Sequence, residues 1–81
     1  MMAIFRIPRV RAELANMSRS TFYRDVNLGL LPRPVKLGLR AAGIPDYEVA
    51  AIAQARIAGK TDDDIKALVQ RMHAARAQAG E

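Results

Sequence analysis

The sequence predicts a mainly α domain of about four helices with one small β-hairpin, arranged as a winged helix-turn-helix. Three observations predict it. A polar break, "NMSRS" at residues 16–20, splits an apolar helical pattern into two short pieces. A stretch rich in Pro and Gly then alternates Val35, Leu37 and Leu39 with Lys36, Gly38 and Arg40, which is the two-residue period of a strand. Two more apolar stripes at helical spacing follow, each behind a helix-start signal.

The first helix is expected at about residues 8–15. Pro8 suits a first helical turn, and Val10 and Leu14 share one face. In "LANMSRSTFYR" that helix must end and a second begin within three residues. Asn16 tolerates the left-handed conformation that stops a helix. Met17 can plug the gap between the helices, and the Ser18 hydroxyl can cap the next one. The second helix is expected at about 19–28, with Phe22 and Val26 as its apolar stripe, Asp25 toward the core side, and Gly29 as its stop. The prolines and glycines of "LLPRPVKLGLRAAGIP" rule out a long helix there. A hairpin near 34–37 and 40–44 is the better reading. The third helix is expected at about 46–58, opened by Pro45 with Asp46 and Glu48 in its positive first turn. Its stripe is Val49, Ile52, Ala53 and Ile57, and Gly59 ends it. The fourth opens with Thr61 as cap and Asp64 in capping-box spacing, and carries Ile65, Leu68, Val69 and Met72. The Ala-rich end, "HAARAQAGE", is expected to fray.

Charge distribution separates the two halves of the 81-residue chain. Residues 1–40 hold eight Arg or Lys against Glu13 and Asp25, whereas residues 41–81 hold five against six acids. A domain this small has a thin core, and its few aromatics are Phe5, Phe22, Tyr23 and Tyr47. With no Cys there is no disulfide and no thiolate zinc site. "MMAIFRIPRV", broken by Arg6 and Arg9, does not read as a secretory signal, and no apolar run has membrane-spanning length. The lack of Cys fits a reducing cytoplasm, and a cytoplasmic location is expected.

A polyanion met by the basic half explains the second helix. Ser20, Thr21, Arg24 and Asn27 spread over the side opposite Phe22 and Val26, with Arg19 and Tyr23 on the flank. Hydroxyls, an amide and guanidinium groups donate to phosphates and read base edges in a major groove. The helix N-terminus adds N–H groups for a phosphate. An ordinary solvated face would instead carry Glu–Lys pairs. Arg33, Lys36 and Arg40 make the hairpin basic, as a wing reaching a neighbouring backbone or the minor groove would be. The plainer use of such charges is to deter edge-strand aggregation.

These residues carry a resemblance. "RIPRV", "MSRSTFYR", "GLLPRPVKLGLRAAG" and "YEVAAI", over about residues 6–53, resemble the AlpA-type phage regulators, small excisionase-like proteins of the winged helix-turn-helix group related to the MerR DNA-binding domain. The resemblance implies specific binding to double-stranded DNA on a prophage or other integrated element. It implies a transcriptional regulator, a recombination directionality factor assisting an integrase, or both. By motif position, Arg19, Ser20, Thr21 and Arg24 would contact bases and phosphates, and Lys36 and Arg40 would serve the wing. Ile44 and Pro45 stand where the family often has Trp, and Asn16 where it often has Gly.

On this reading residues 1–59 form the DNA-binding domain. Residues 60–81 add a helix that packs on it or mediates self-association. Several copies are expected to assemble on DNA, because one recognition helix rarely selects tightly. The rival is a protein–protein interaction module that uses the last helix. An enzyme is disfavoured: His73 is the single His, with no evident catalytic partner, and reads as a solvated helical residue. Asp62, Asp63 and Asp64 read as acids satisfying a helix dipole rather than as a metal site. No metal, cofactor or membrane partner is expected.

Overall fold

The computed structural model describes residues 3–79. It contains β1 (Ile4–Arg6), α1 (Ile7–Glu13), α2 (Arg19–Asn27), β2 (Val35–Lys36), β3 (Ala42–Pro45), α3 (Asp46–Ile57) and α4 (Asp62–Ala79). This is a winged helix-turn-helix. No described helix is long and apolar enough to cross a membrane.

The local punctuation acts where the sequence places it. Ser18 caps α2 by accepting from the Thr21 N–H at 3.1 Å. Gly29, at φ +80°, lets Gly29 N–H reach the Val26 carbonyl and Leu30 N–H the Asp25 carbonyl, which closes α2. At α4 both halves of the capping box form: Asp64 N–H donates to the Thr61 hydroxyl at 3.1 Å, and Thr61 N–H to the Asp64 carboxylate at 3.3 Å.

The turn between α1 and α2 uses two left-handed residues, Ala15 (φ 65°) and Asn16 (φ 55°). Asn16 suits that conformation, whereas at Ala15 it costs about 1–2 kcal/mol. A clasp offsets the cost. Met17 N–H donates to the Arg11 carbonyl at 3.1 Å, and Arg11 Nε donates back to the Met17 carbonyl at 3.0 Å. Met17 packs against the core, as the plug reading requires.

The hairpin belongs to a larger sheet. β1, for which the sequence carries no alternation, pairs antiparallel with β3 (Ile4 opposite Pro45, Phe5 opposite Ile44, Arg6 opposite Gly43), and β2 pairs with the other edge of β3. Gly43 permits this: a Cβ there would lie 2.5 Å from the Phe5 carbonyl oxygen. The strands at 35–36 and 42–45 are shorter and later than the expected 34–37 and 40–44. Leu37 and Leu39 do not continue an inward face, and Leu39 is 97% exposed at the wing tip. Two residues of pairing leave the tip with no layer to pack on.

The core joins Val10, Phe22, Leu30, Leu31, Ile44, Val49, Ile52, Ile65, Val69 and Met72. Phe22 at its centre is fully buried, a side chain whose removal from water contributes about 1.5–3 kcal/mol. Ile44, also fully buried, fills the place where the resemblance leads one to look for Trp. Ile57, the last residue of α3, leaves the expected stripe and is 80% exposed.

The second half of α4 departs most from expectation. Residues 73–79 are helical; Gly80 and Glu81, the rest of the segment expected to fray, lie outside the described residues. His73 is half-buried rather than solvated, and its Nε2 accepts from the Arg33 N–H at 3.1 Å. Arg76 donates from Nη1 to the Arg33 carbonyl at 2.7 Å and from Nε to Glu48 Oε2 at 2.8 Å, while Nη2 engages Oε1. Glu48 is buried, so this fork neutralises a charge inside the core while α4 grips both backbone groups of Arg33 at the root of the wing.

His73 must be neutral to accept that bond. Burial lowers its pKa first, and the Arg33 and Arg76 charges lower it further, against the opposing pull of Glu48. The folded value therefore lies below the unfolded one, near 6.5. The resulting stability is present in full above about pH 6.5 and is lost as pH falls through the depressed folded value. Thermal melts from pH 7.5 to 5 should show a falling midpoint. A His73→Gln variant, which keeps an acceptor but does not titrate, should fall less; equal slopes would refute the role of His73.

Candidate nucleic-acid interface

α2 presents its polar side outward. Arg19, Ser20, Tyr23, Arg24 and Asn27 are exposed, while Phe22 and Asp25 are buried. Their environments differ in ways the helical spacing does not reveal. Thr21 is half-buried and its hydroxyl lies 2.9 Å from Ser18 Oγ, so it completes the cap before it can reach a ligand. Arg24 lies along its neighbour Asp25, with Nη2 at 3.2 Å from Oδ1, although its side chain stays 66% exposed. Such a partly exposed pair is weak, worth about 1 kcal/mol or less, so a stronger anion can draw the guanidinium away. Arg19 sits over the Tyr23 ring at 5.8 Å, and Tyr23 meets Phe22 edge-on at 5.0 Å between centroids. The aromatic pair connects the exposed cation to the core.

The wing lies beside this helix. Arg40, Arg19 and Tyr23 line one cleft of about 260 Å³ together with Arg6, Ile7, Pro8, Arg11 and Ala42. Arg6 comes from β1, Arg11 from α1, Arg19 from α2 and Arg40 from the loop between β2 and β3. Two of these, Arg6 and Arg11, are functional candidates that sequence reasoning missed. Both precede the helix-turn-helix break, and only the basic count of the first 40 residues hinted at them.

The other expected residues are not gathered in the cleft. Lys36 is exposed on β2, opposite Ala42. Arg33 is exposed before the hairpin, with its backbone held by His73 and Arg76. Ser20, Arg24 and Asn27 stand on the open face of α2. The arrangement is a cleft lined by four arginines next to an exposed helix face bearing hydroxyls, an amide and the further cation of Arg24. Among the described residues no carboxylate lines the cleft, so the positive potential of these arginines is not cancelled by one.

Comparison with known protein families matches residues 3–57 to the family described as Prophage CP4-57 regulatory protein (AlpA). No curated protein and no solved structure matches the chain.

Proposed function

The chain belongs to the AlpA family of prophage regulatory proteins, and on that premise we propose that it binds specific double-stranded DNA on an integrated element. The observation that carries the reading is the junction of α2 and the wing. Arg19 and Arg40, far apart in the chain, line one cleft beside the exposed face of α2. In this reading α2 enters a major groove with Arg19, Ser20, Arg24 and Asn27 toward base edges and flanking phosphates. Thr21 holds the helix start. Arg40 and Lys36 take the wing along the adjacent backbone, and Arg33 extends that contact. The longest dimension of the molecule is 34 Å, about one turn of duplex, so neighbouring copies can occupy successive turns.

Regulation of a promoter and assistance to an integrase in excising the element both use this reader, and they differ in where its sites lie. A nuclease footprint across the DNA flanking the host element tests both. One protected site upstream of a promoter supports the regulator, an array beside an attachment site supports the directionality factor, and no protection anywhere refutes DNA binding. Binding titrations add a second check. Affinity should fall by about 10³ or more between 50 and 200 mM salt if some six phosphates are contacted; a flat response would count against the proposal.

An interaction module built on α4 has less to stand on. Of the apolar stripe it would need, Ile65, Val69 and Met72 are buried in the core and Leu68 is half-buried against it.

A further inference from the structure

The pairing of the arginines divides them into two groups. Arg9, Arg24, Arg56 and Arg76 each contact a carboxylate. Arg6, Arg11, Arg19, Arg33, Arg40 and Arg71 have no such partner among the described residues, and four of these six, Arg6, Arg11, Arg19 and Arg40, line a single cleft. Like charges brought together in this way repel, and the repulsion is relieved when an anion sits among them.

We infer that this cleft is a seat for one backbone phosphodiester of the duplex, clamped between α1, α2 and the wing; the inference rests on the DNA-binding reading above and deepens it. The seat is held in place before any ligand arrives. Arg11 is anchored through Nε to the Met17 carbonyl, which leaves its terminal nitrogens to donate. Arg19 is steadied by the Tyr23 ring. Ile7 and Pro8 give the cleft an aliphatic wall, which limits screening of the charges by water. Arg6 follows from the pairing of β1 with β3, in register with Gly43. The N-terminal strand therefore serves binding as well as the core.

A phosphate contact positions the protein and carries no base information. The seat should thus contribute equally on cognate and unrelated DNA. It also couples the wing to the helix-turn-helix, because Arg40 and Arg19 hold the same group.

The test uses the full chain and a duplex carrying the footprinted site, with single neutral methylphosphonate substitutions scanned along each strand. Wild-type protein should lose about tenfold in affinity at one backbone position on the flank of the α2 contact. Arg6→Gln should lose a similar factor on the unmodified site and on unrelated duplex alike, with a log–log salt slope shallower by about one. Its further loss from the methylphosphonate at that same position should then be smaller than that of wild type, because one of the four cations facing the phosphate is already gone. Should Arg6→Gln not fold, Arg40→Gln in the exposed wing loop provides the same comparison. Identical methylphosphonate profiles for wild type and variant would overturn the seat while leaving DNA binding intact. A loss confined to the cognate sequence would overturn it too, by making the contact a base contact. Absence of any binding to duplex would instead remove the DNA reading on which the seat depends.

Discussion

Replacing Arg76 by Met should destabilise the protein by about 3–5 kcal/mol, the effect of leaving a buried carboxylate without its partner. Glu48 is 1% exposed and Arg76 grips both of its oxygens. No described residue other than Arg76 forms an ion pair with it. The variant must either bury a bare charge or protonate Glu48, and both cost free energy. A domain of this size has roughly 5–15 kcal/mol of total stability. At about 4–8 °C per kcal/mol, the thermal midpoint should drop by roughly 12–40 °C. Circular-dichroism melts and urea titrations measure it. Pairing Arg76→Met with Glu48→Gln should recover much of the loss, because the second change removes the stranded charge. A single variant that melts within a few degrees of wild type would mean that Glu48 does not depend on Arg76. The same variant also frees the Arg33 carbonyl, so the root of the wing should exchange its amide hydrogens faster.

Replacing Arg19 and Arg24 together by Ala should lower DNA affinity by about 30-fold to 10⁴-fold, taking roughly 1–3 kcal/mol for each arginine contact. The fold should survive. Both side chains are exposed, and the Arg24–Asp25 pair that is lost is worth about 1 kcal/mol or less. Fluorescence anisotropy on the footprinted site reads the affinity, and a thermal melt verifies the fold. A properly folded double variant that binds as tightly as wild type would dismiss α2 as the reader and favour the interaction-module alternative. The contrast with Arg76 is informative: the three arginines look alike as letters, yet Arg76 supports the core while Arg19 and Arg24 stand exposed on α2.

The fold was legible wherever local chemistry decides it. Ser18, Gly29, Thr61 and Asp64 cap or stop helices through bonds that span five residues or fewer, and such bonds can be read from spacing. The Asn16 turn, a hairpin after the prolines and the buried sides of α2 and α4 follow from the same reasoning, whereas the wider break between the strands, residues 37–41, does not. The wing charges and the outward face of α2 were legible for a related cause, since exposure on an amphipathic helix is the complement of its apolar stripe. Thr21 was the partial exception: a hydroxyl at a helix start can cap or contact a ligand, and position alone does not say which.

By itself, then, the sequence determines the order of helices, the turn between α1 and α2, the basic character of one half and the family to which the pattern is similar. These depend on interactions within a turn or two of chain, or on simple counts. Folding in three dimensions assigns the partners. It draws β1 onto β3, brings Arg6 and Arg11 to the same cleft as Arg19 and Arg40, and joins Glu48 to Arg76 across 28 residues and Arg33 to His73 across 40. An arginine carries the same charge in every such setting. Whether it neutralises a buried acid, clasps a turn or waits for an anion is set by what packing places within about 3 Å of its nitrogens, and no periodicity in the chain encodes that neighbour.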